Sequence, residues 1–276
     1  MFGMAPKPDG EGFSPSPLAL KVATKRRTDY APVDYDAYTG AQRVLMVCTE
    51  QKYMTMANGR KFSTGNHPVE MLVPLLHLEA AGFEVDVATP TGKPVVVEQW
   101  AMPRDDERVQ ALYETFQPKF ERPIALKDVV ASLDDTPYGA VLVPGGHGAM
   151  LGLPEDRNLA TLLRWVMKSE RTVLSICHGP AALLADALND GEFAFTGYEM
   201  AVFPDSLDRR TPAIGYMPGH MPWRFGERLR KLGVHIVNKK ANGTVHRDRN
   251  LVTGDGPDAA NAFGSLSAKT LLERMA

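Results

Sequence analysis

The sequence predicts an α/β protein with a largely parallel sheet. Three observations carry the prediction: short apolar runs bounded by polar residues, as a sheet covered on both faces requires; stretches at helical spacing between those runs; and glycine-containing turns where strand gives way to helix. Regular structure begins with the strand Arg43–Cys48. A helix over His67–Ala81 follows, because Pro68 suits a first turn, Val69, Leu72, Val73, Leu76 and Leu78 recur at helical spacing, and Gly82 is placed to end it. Pro74 is expected to bend it. Phe83–Ala88 alternates as a strand, and the Pro/Gly-bounded stretch 90–137 holds two helical patterns, Arg104–Phe116 and Ile124–Leu133, that would form a cap insertion.

The unit then repeats as strand Gly139–Val143, turn Pro144–Gly148, helix Glu155–Lys168, strand Arg171–Ile176, turn Cys177–Gly179 and helix Pro180–Leu188. The tail adds a helix near Trp223–Leu232, strand Val234–Val237, a hairpin strand Leu251–Thr253 and a last helix, Pro257–Glu273. Alternating strands and helices imply crossover connections, hence parallel pairing. Residues 1–40, with five prolines and no sustained periodicity, read as an extended arm ahead of a core over 41–276.

Composition narrows the function. A chain of 276 residues that is 44% hydrophobic can build its core without disulfide or metal staples. Its 31 Lys and Arg against 33 Asp and Glu leave a formal charge of −2, which lacks the positive field suited to nucleic acid or an anionic membrane. Two cysteines far apart, Cys48 and Cys177, suit a reducing compartment, and neither a signal-peptide core nor an apolar run of ~18 residues occurs. A cytoplasmic protein with no membrane contact is expected.

In an open α/β sheet, ligands gather at the carboxyl ends of the strands, where the two glycine turns hold His147, Cys177 and His178. Ser175-Ile-Cys-His-Gly179 has the form of a nucleophile elbow, with small residues two positions either side of Cys177. A cysteine there would sit at a helix N-terminus, which favours thiolate. His178 is placed to act as base or acid, and Asp205 or Asp208, after Ala201-Val-Phe-Pro204, would orient it; spacing does not choose between them. Backbone N–H groups of Gly145 and Gly146 would steady an oxyanion, although a simple tight turn explains those glycines equally well.

Glu70, in the first turn of its helix, reads by default as a solvated capping acid; buried and protonated beside Cys177, it would instead exchange protons with the thiol. Cys48, inside an apolar strand, reads as packing. His67, His77, Glu79 and Glu84 form no compact ligand spacing, Trp100, Trp165 and Trp223 read as packing anchors, and Lys25-Arg-Arg27 reads as a solvated charge run. Neither a dinucleotide fingerprint nor a Walker-type loop occurs, so no cofactor is expected.

Six motifs recur in one order: Lys61-Phe-Ser-Thr-Gly-Asn-His-Pro68 with Glu70, Trp100-Ala-Met-Pro103, Val143-Pro-Gly-Gly-His-Gly148, Cys177-His-Gly-Pro-Ala181, Ile214-Gly-Tyr-Met-Pro-Gly-His220 and Leu251-Val-Thr-Gly-Asp255. At these residues, and over nearly the whole chain from about Gln42, the sequence resembles the bacterial 31-kDa heat-shock protein family, the glyoxalase III and protein deglycase (HchA) branch of the DJ-one/PfpI superfamily. The resemblance implies a flavodoxin-like α/β/α sandwich with a glutamine-amidotransferase-like core and a smaller cap, and a homodimer. It implies a Cys177–His178–Asp208 constellation, so it selects Asp208 over Asp205, with Glu70 beside the nucleophile and Gly145 and Gly146 as oxyanion glycines.

The chemistry it implies is cofactor-independent conversion of methylglyoxal to D-lactate, repair of glyoxal-derived adducts on protein or nucleotide, and holdase activity toward unfolded clients under stress. Members of the family can carry a His/Glu/His metal site, whose matching positions here are Glu79, Glu84 and Phe116; phenylalanine cannot ligate, so the site is expected to be lost or altered and the two glutamates a remnant. Two other readings stay open: a holdase in which catalysis is secondary, and a Cys-dependent amidase or peptidase using the same Cys-His pair.

Overall fold

The computed structural model describes residues 3–135 and 137–275; the first two residues of the expected arm, residue 136 of the expected cap and residue 276 lie outside the described residues. In chain order the elements are β1 (Lys7–Asp9), β2 (Gly12–Ser14), α1 (Pro17–Ala23), β3 (Arg43–Val47), β4 (Tyr53–Thr55), β5 (Lys61–Ser63), α2 (Pro68–Ala80), β6 (Val85–Thr89), α3 (Glu107–Glu121), β7 (Ile124–Ala125) and α4 (Leu126–Ala131). There follow β8 (Tyr138–Val143), α5 (Arg157–Lys168), β9 (Thr172–Ile176), β10 (Glu199–Met200), α6 (Asp205–Asp208), α7 (Phe225–Lys231), β11 (His235–Ile236), β12 (Val245–Asp248), β13 (Leu251–Gly254) and α8 (Ala260–Met275).

A seven-stranded sheet runs in the order β12-β13-β9-β8-β3-β6-β7. All its pairs are parallel except β12 with β13, which form the hairpin edge. Along β3 the side chains alternate between two buried clusters: Val44 and Met46 join Leu72, Leu75, Phe263 and Leu271 from α2 and α8, while Leu45 and Val47 join Leu162 and Val166 from α5 and Ala181 from the segment after β9. Helices therefore cover both faces, which gives the three-layer α/β/α, flavodoxin-like sandwich and explains why β8 and β9 read as unbroken apolar runs.

Several expectations need correction. The helical pattern Ile124–Leu133 opens instead with β7, which adds to the edge of the main sheet beside β6 before α4 turns back, because Ile124 and Ala125 pair with Ala88 and Thr89. The arm is not extended throughout: β1 and β2 form a hairpin that continues through β5 into β4, and Ser16 caps α1 by accepting from the Ala19 N–H at 3.1 Å. The segment Gly179–Leu188 winds as a tight 3-10 helix. Among the described residues no helix is long and apolar enough to cross a membrane.

Sheet order also locates the site. From β3 the chain moves outward to β6 and β7, then returns past β3 to β8 and β9, so the strand order reverses at β3. The carboxyl ends of β3, β8 and β9 meet at that reversal, where α/β sheets hold their ligands.

Candidate active site

The loop before α2 is pinned to the end of β3 by Asn66, whose amide accepts from the Thr49 N–H at 3.1 Å and donates to the carbonyls of Thr49 at 3.0 Å and Val96 at 2.8 Å. The His67 N–H donates to the Gly145 carbonyl at 2.9 Å, which ties the same loop to the end of β8. Pro68 then starts α2, and Glu70 in its first turn projects inward toward Gly145 and Cys177.

Cys177 ends β9 in a left-handed conformation, φ 61°, that non-glycine residues adopt at a cost of order 1–3 kcal/mol. Its N–H donates to the Gly254 carbonyl at 2.8 Å and its carbonyl accepts from the Phe203 N–H at 3.0 Å, which hold the turn. The small flanking residues do the work expected of an elbow: a Cβ on Gly179 would overlap the Val143 carbonyl and stand 2.6 Å from Ser175 Oγ.

From the thiol runs a line of hydrogen bonds. Cys177 Sγ lies 3.2 Å from His178 Nδ1, and His178 Nε2 lies 2.9 Å from Asp208 Oδ2. All three residues are buried. Asp208, on the short α6, is the acid that reaches the histidine; Asp205 faces elsewhere, accepting from the Gly226 N–H and pairing with Arg230. A second imidazole joins the same carboxylate, with His147 Nε2 3.1 Å from Asp208 Oδ1. Burial works against the Asp208 charge, but the imidazoles of His178 and His147 hold its carboxyl below the usual range.

Glu70 is fully buried, which corrects the default reading of a solvated capping acid. Neither of its carboxyl oxygens closes a hydrogen bond of good geometry, while the Cys177 thiol and the Gly146 N–H are its polar neighbours. Burial raises Glu70 well above the ordinary carboxyl value, so it holds its proton near neutrality. Burial also works against the thiolate expected at Cys177: it raises the thiol well above its ordinary value, and the Gly146 N–H offsets part of that. With Glu70 holding its proton, no carboxylate charge stands beside the sulfur, so burial is what favours the thiol.

Close backbone approach explains the glycines. A Cβ on Gly145 would overlap Glu70 Oε2 and stand 2.6 Å from both Cys177 Cβ and the Ile176 carbonyl. Gly146 has φ 96°, and a Cβ there would overlap the Gly65 carbonyl and stand 2.6 Å from the His67 nitrogen.

Around this line lies a cavity of about 400 Å³. One wall is the arm, from Val22 to Asp29. Lys25, paired with Asp258 at 2.6 Å, and Thr28, donating to Asp106 at 2.5 Å, fasten that wall to the body, so part of the Lys25–Arg27 charge run is tethered rather than simply solvated. The arm's place over the site had no signal in its sequence.

Sequence reading assigned no role to three further buried groups lining the cavity: His147, Glu98 and Tyr216. Glu98 Oε1 accepts from Thr64 Oγ1 at 2.6 Å, while Oε2 has no partner. Burial pushes Glu98 up to about 7, against the partial pull of His147, Thr64 and the Gly65 N–H. Burial likewise lowers His67 to about 3, with His147 and His178 adding to the effect, so His67 is neutral.

Glu98 gives a pH prediction. An acid whose folded value is raised keeps a proton that the unfolded chain loses, so the fold loses stability as pH rises from 4.5 to about 7, by about 3 kcal/mol for this group. Glu98→Gln removes that loss. Its melting temperature relative to wild type is expected to climb between pH 4.5 and 8, and a difference independent of pH would contradict a protonated Glu98.

The expected metal remnant does not fit a metal. Glu79, Glu84 and Phe116 line a separate pocket, but Phe116 offers no donor, Glu84 is paired with Arg43, and the Lys119 ammonium lies in the same pocket, 5.3 Å from the Phe116 ring centre. His77 is held instead by Tyr35 at 2.8 Å and Asn261 at 3.0 Å. Among the described residues, the convergent ligand set is His147, His178 and Asp208, whose ligand atoms lie within 4.8 Å of one another and already bond to each other. Cys48 is sealed in the core, where burial raises its thiol strongly.

A parallel α/β sandwich with a cysteine on a strained strand-to-helix elbow, hydrogen-bonded through histidine to aspartate, defines the class of α/β proteins to which this chain belongs. Residues 62–208 match the DJ-1/PfpI family, and the chain belongs to that family. It is 50% identical over 280 aligned positions to the protein/nucleic acid deglycase HchA of Pseudomonas aeruginosa (strain UCBPP-PA14), with 98% of this chain and 96% of the relative covered. It is 48% identical to protein/nucleic acid deglycase 1 of Escherichia coli (strain K12), covering 96% of this chain and 93% of the relative. Among solved structures, the fold is similar to glyoxalase III from Candida albicans at TM-score 0.66 and 21% identity, over 83% of this chain and 97% of that one.

Proposed function

We propose that this protein is a cysteine-dependent glyoxalase III and deglycase: it converts methylglyoxal to D-lactate and removes the corresponding adducts from protein and nucleotide amines, as a cytoplasmic homodimer. The observation that carries this reading is the line from the Cys177 thiol through His178 to Asp208, set beside the buried acid Glu70. Relatives named protein/nucleic acid deglycase, at 50% and 48% identity, support the substrate class.

The resting protonation states suit a sequence in which atoms and electrons balance. The bond from sulfur to the aldehyde carbon forms as the thiol proton passes to His178 Nδ1 and Glu70 donates its proton to the aldehyde oxygen, with the glycine-turn N–H groups steadying that oxygen. Glu70, now a carboxylate, takes the proton from that carbon, and His178 returns its proton to the ketone oxygen, giving an enediol. Glu70 then protonates the former ketone carbon as the hydroxyl proton on the first carbon returns to its carboxylate, leaving a lactoyl thioester. One carbon has been oxidised and its neighbour reduced, so the electron balance closes within the substrate. Water cleaves the C–S bond to release lactate and the thiol. For an amine adduct, the thiol displaces the amine at the same carbon and joins the same path.

The test is an NMR time course of methylglyoxal with purified protein, without glutathione, followed by chiral analysis of the product. D-lactate formed in proportion to enzyme is expected. Loss of methylglyoxal without lactate would overturn the assignment.

A further inference from the structure

Asp208 serves two imidazoles. His178 Nε2 meets one of its oxygens at 2.9 Å and His147 Nε2 meets the other at 3.1 Å. An ionised carboxylate only accepts, so each histidine donates through Nε2 and carries its lone pair on Nδ1. On His178 that lone pair faces the thiol, 3.2 Å away. On His147, Nδ1 bonds to no described residue, is not among the sealed buried atoms, and belongs to a side chain lining the reaction cavity. The His147 ring is held in place by Phe62, edge-on at 5.7 Å between ring centres, and lies 3.9 Å from the His178 ring.

We propose that His147 is a second general base of the site, one that activates the water hydrolysing the thioester on Cys177. The inference rests on the function proposed above. A water oxygen bonds to the thioester carbon as its proton passes to His147 Nδ1. The C–S bond breaks with its electron pair going to sulfur, and the imidazolium proton is handed back to the thiolate. Two imidazolium rings 3.9 Å apart on one carboxylate oppose each other, so the bases act in different steps. His178 is charged while the thiol adds, and has returned its proton by the thioester stage. His147 is then free to accept one. Burial, and after it the neighbouring His178, keep His147 in the neutral form this role needs.

The test compares wild type with His147→Gln in quenched-flow experiments. Methylglyoxal loss in the first turnover is expected to stay within about threefold of wild type while steady-state lactate formation falls about 10²-fold. Quenched samples of the variant, freed of unreacted methylglyoxal and then treated with hydroxylamine, should yield lactohydroxamate from the accumulated thioester. His147→Asn serves as a second variant should the first melt at a lower temperature. An equal fall in both phases with no lactohydroxamate trapped from the variant, or an unchanged steady state, would overturn the proposal. A wild type that forms no lactate is a separate outcome, seen before any variant is compared, and overturns the functional reading on which the proposal rests.

Discussion

Cys177→Ala is expected to bring methylglyoxal turnover down to the uncatalysed background, a fall of about 10⁴-fold or more, while the protein still folds. The sulfur is the atom that bonds to substrate in every step proposed, and loss of a nucleophile that acts as one unit with its base removes nearly all of the rate. Folding should survive because the backbone of the elbow is held by the Gly254 carbonyl and the Phe203 N–H rather than by the side chain. The control is Cys48→Ala. Its thiol is sealed in the core away from the cavity, so the variant should lose some stability and keep its rate. Lactate assays and thermal melts on both variants check the pair, and a Cys177→Ala protein with the wild-type rate would end the nucleophile assignment.

Gly145→Ala is expected to damage both stability and activity. The added methyl would meet Glu70 Oε2, Cys177 Cβ and the Ile176 carbonyl at once, and the last belongs to the central strand β9, which has no room to yield. Overpacking of this kind costs about 2 kcal/mol, or roughly 4–8 °C in melting temperature for a chain of this size. Relief would come from moving Glu70 away from the thiol, so kcat should fall by about 10²-fold even in molecules that remain folded. Gly59→Ala separates strain from crowding, because that glycine has φ 78° with no atom within 4 Å of the added methyl. It should lose about 1 kcal/mol and no activity. Equal activity in the two glycine variants would mean that the Gly145 approach does not position the site.

The sheet was legible in the sequence because β3, β8 and β9 are covered on both faces and so read as continuous apolar runs. What escaped were elements whose partners lie far away in sequence. β4 and β5 have three residues each, too few for a periodicity; they pair with each other, and the arm adds to β5 through Phe13 beside Phe62. β7 sits within an apparently helical pattern and becomes a strand only because the edge of β6 is free to accept it.

The site divides in the same way. Cys177 and His178 were legible as an elbow, since the small residues at 175 and 179 are local to it. Glu70 carried a local signal for a helix cap, and only the fold, by laying the start of α2 over the end of β8, buries it against the thiol. Spacing alone left Asp205 and Asp208 as equals, and the short α6 separates them by turning one toward His178 and the other toward Gly226. His147 was visible in its glycine turn, but its bond to the carboxylate that also holds His178 depends on contacts across 61 residues of sequence. For the thiol, the helix start argues for thiolate, whereas burial, which local sequence does not show, argues for thiol.

The central claim is that substrate becomes covalently attached to Cys177. Rapid quenching of carbon-13-labelled methylglyoxal with the wild-type protein, followed by hydroxylamine trapping and peptide mapping in parallel samples, tests it most directly. The account predicts label on the peptide carrying Cys177, none on that carrying Cys48, and release of the label as lactohydroxamate. Lactate production at full rate with Cys177 unlabelled throughout the turnover would contradict it.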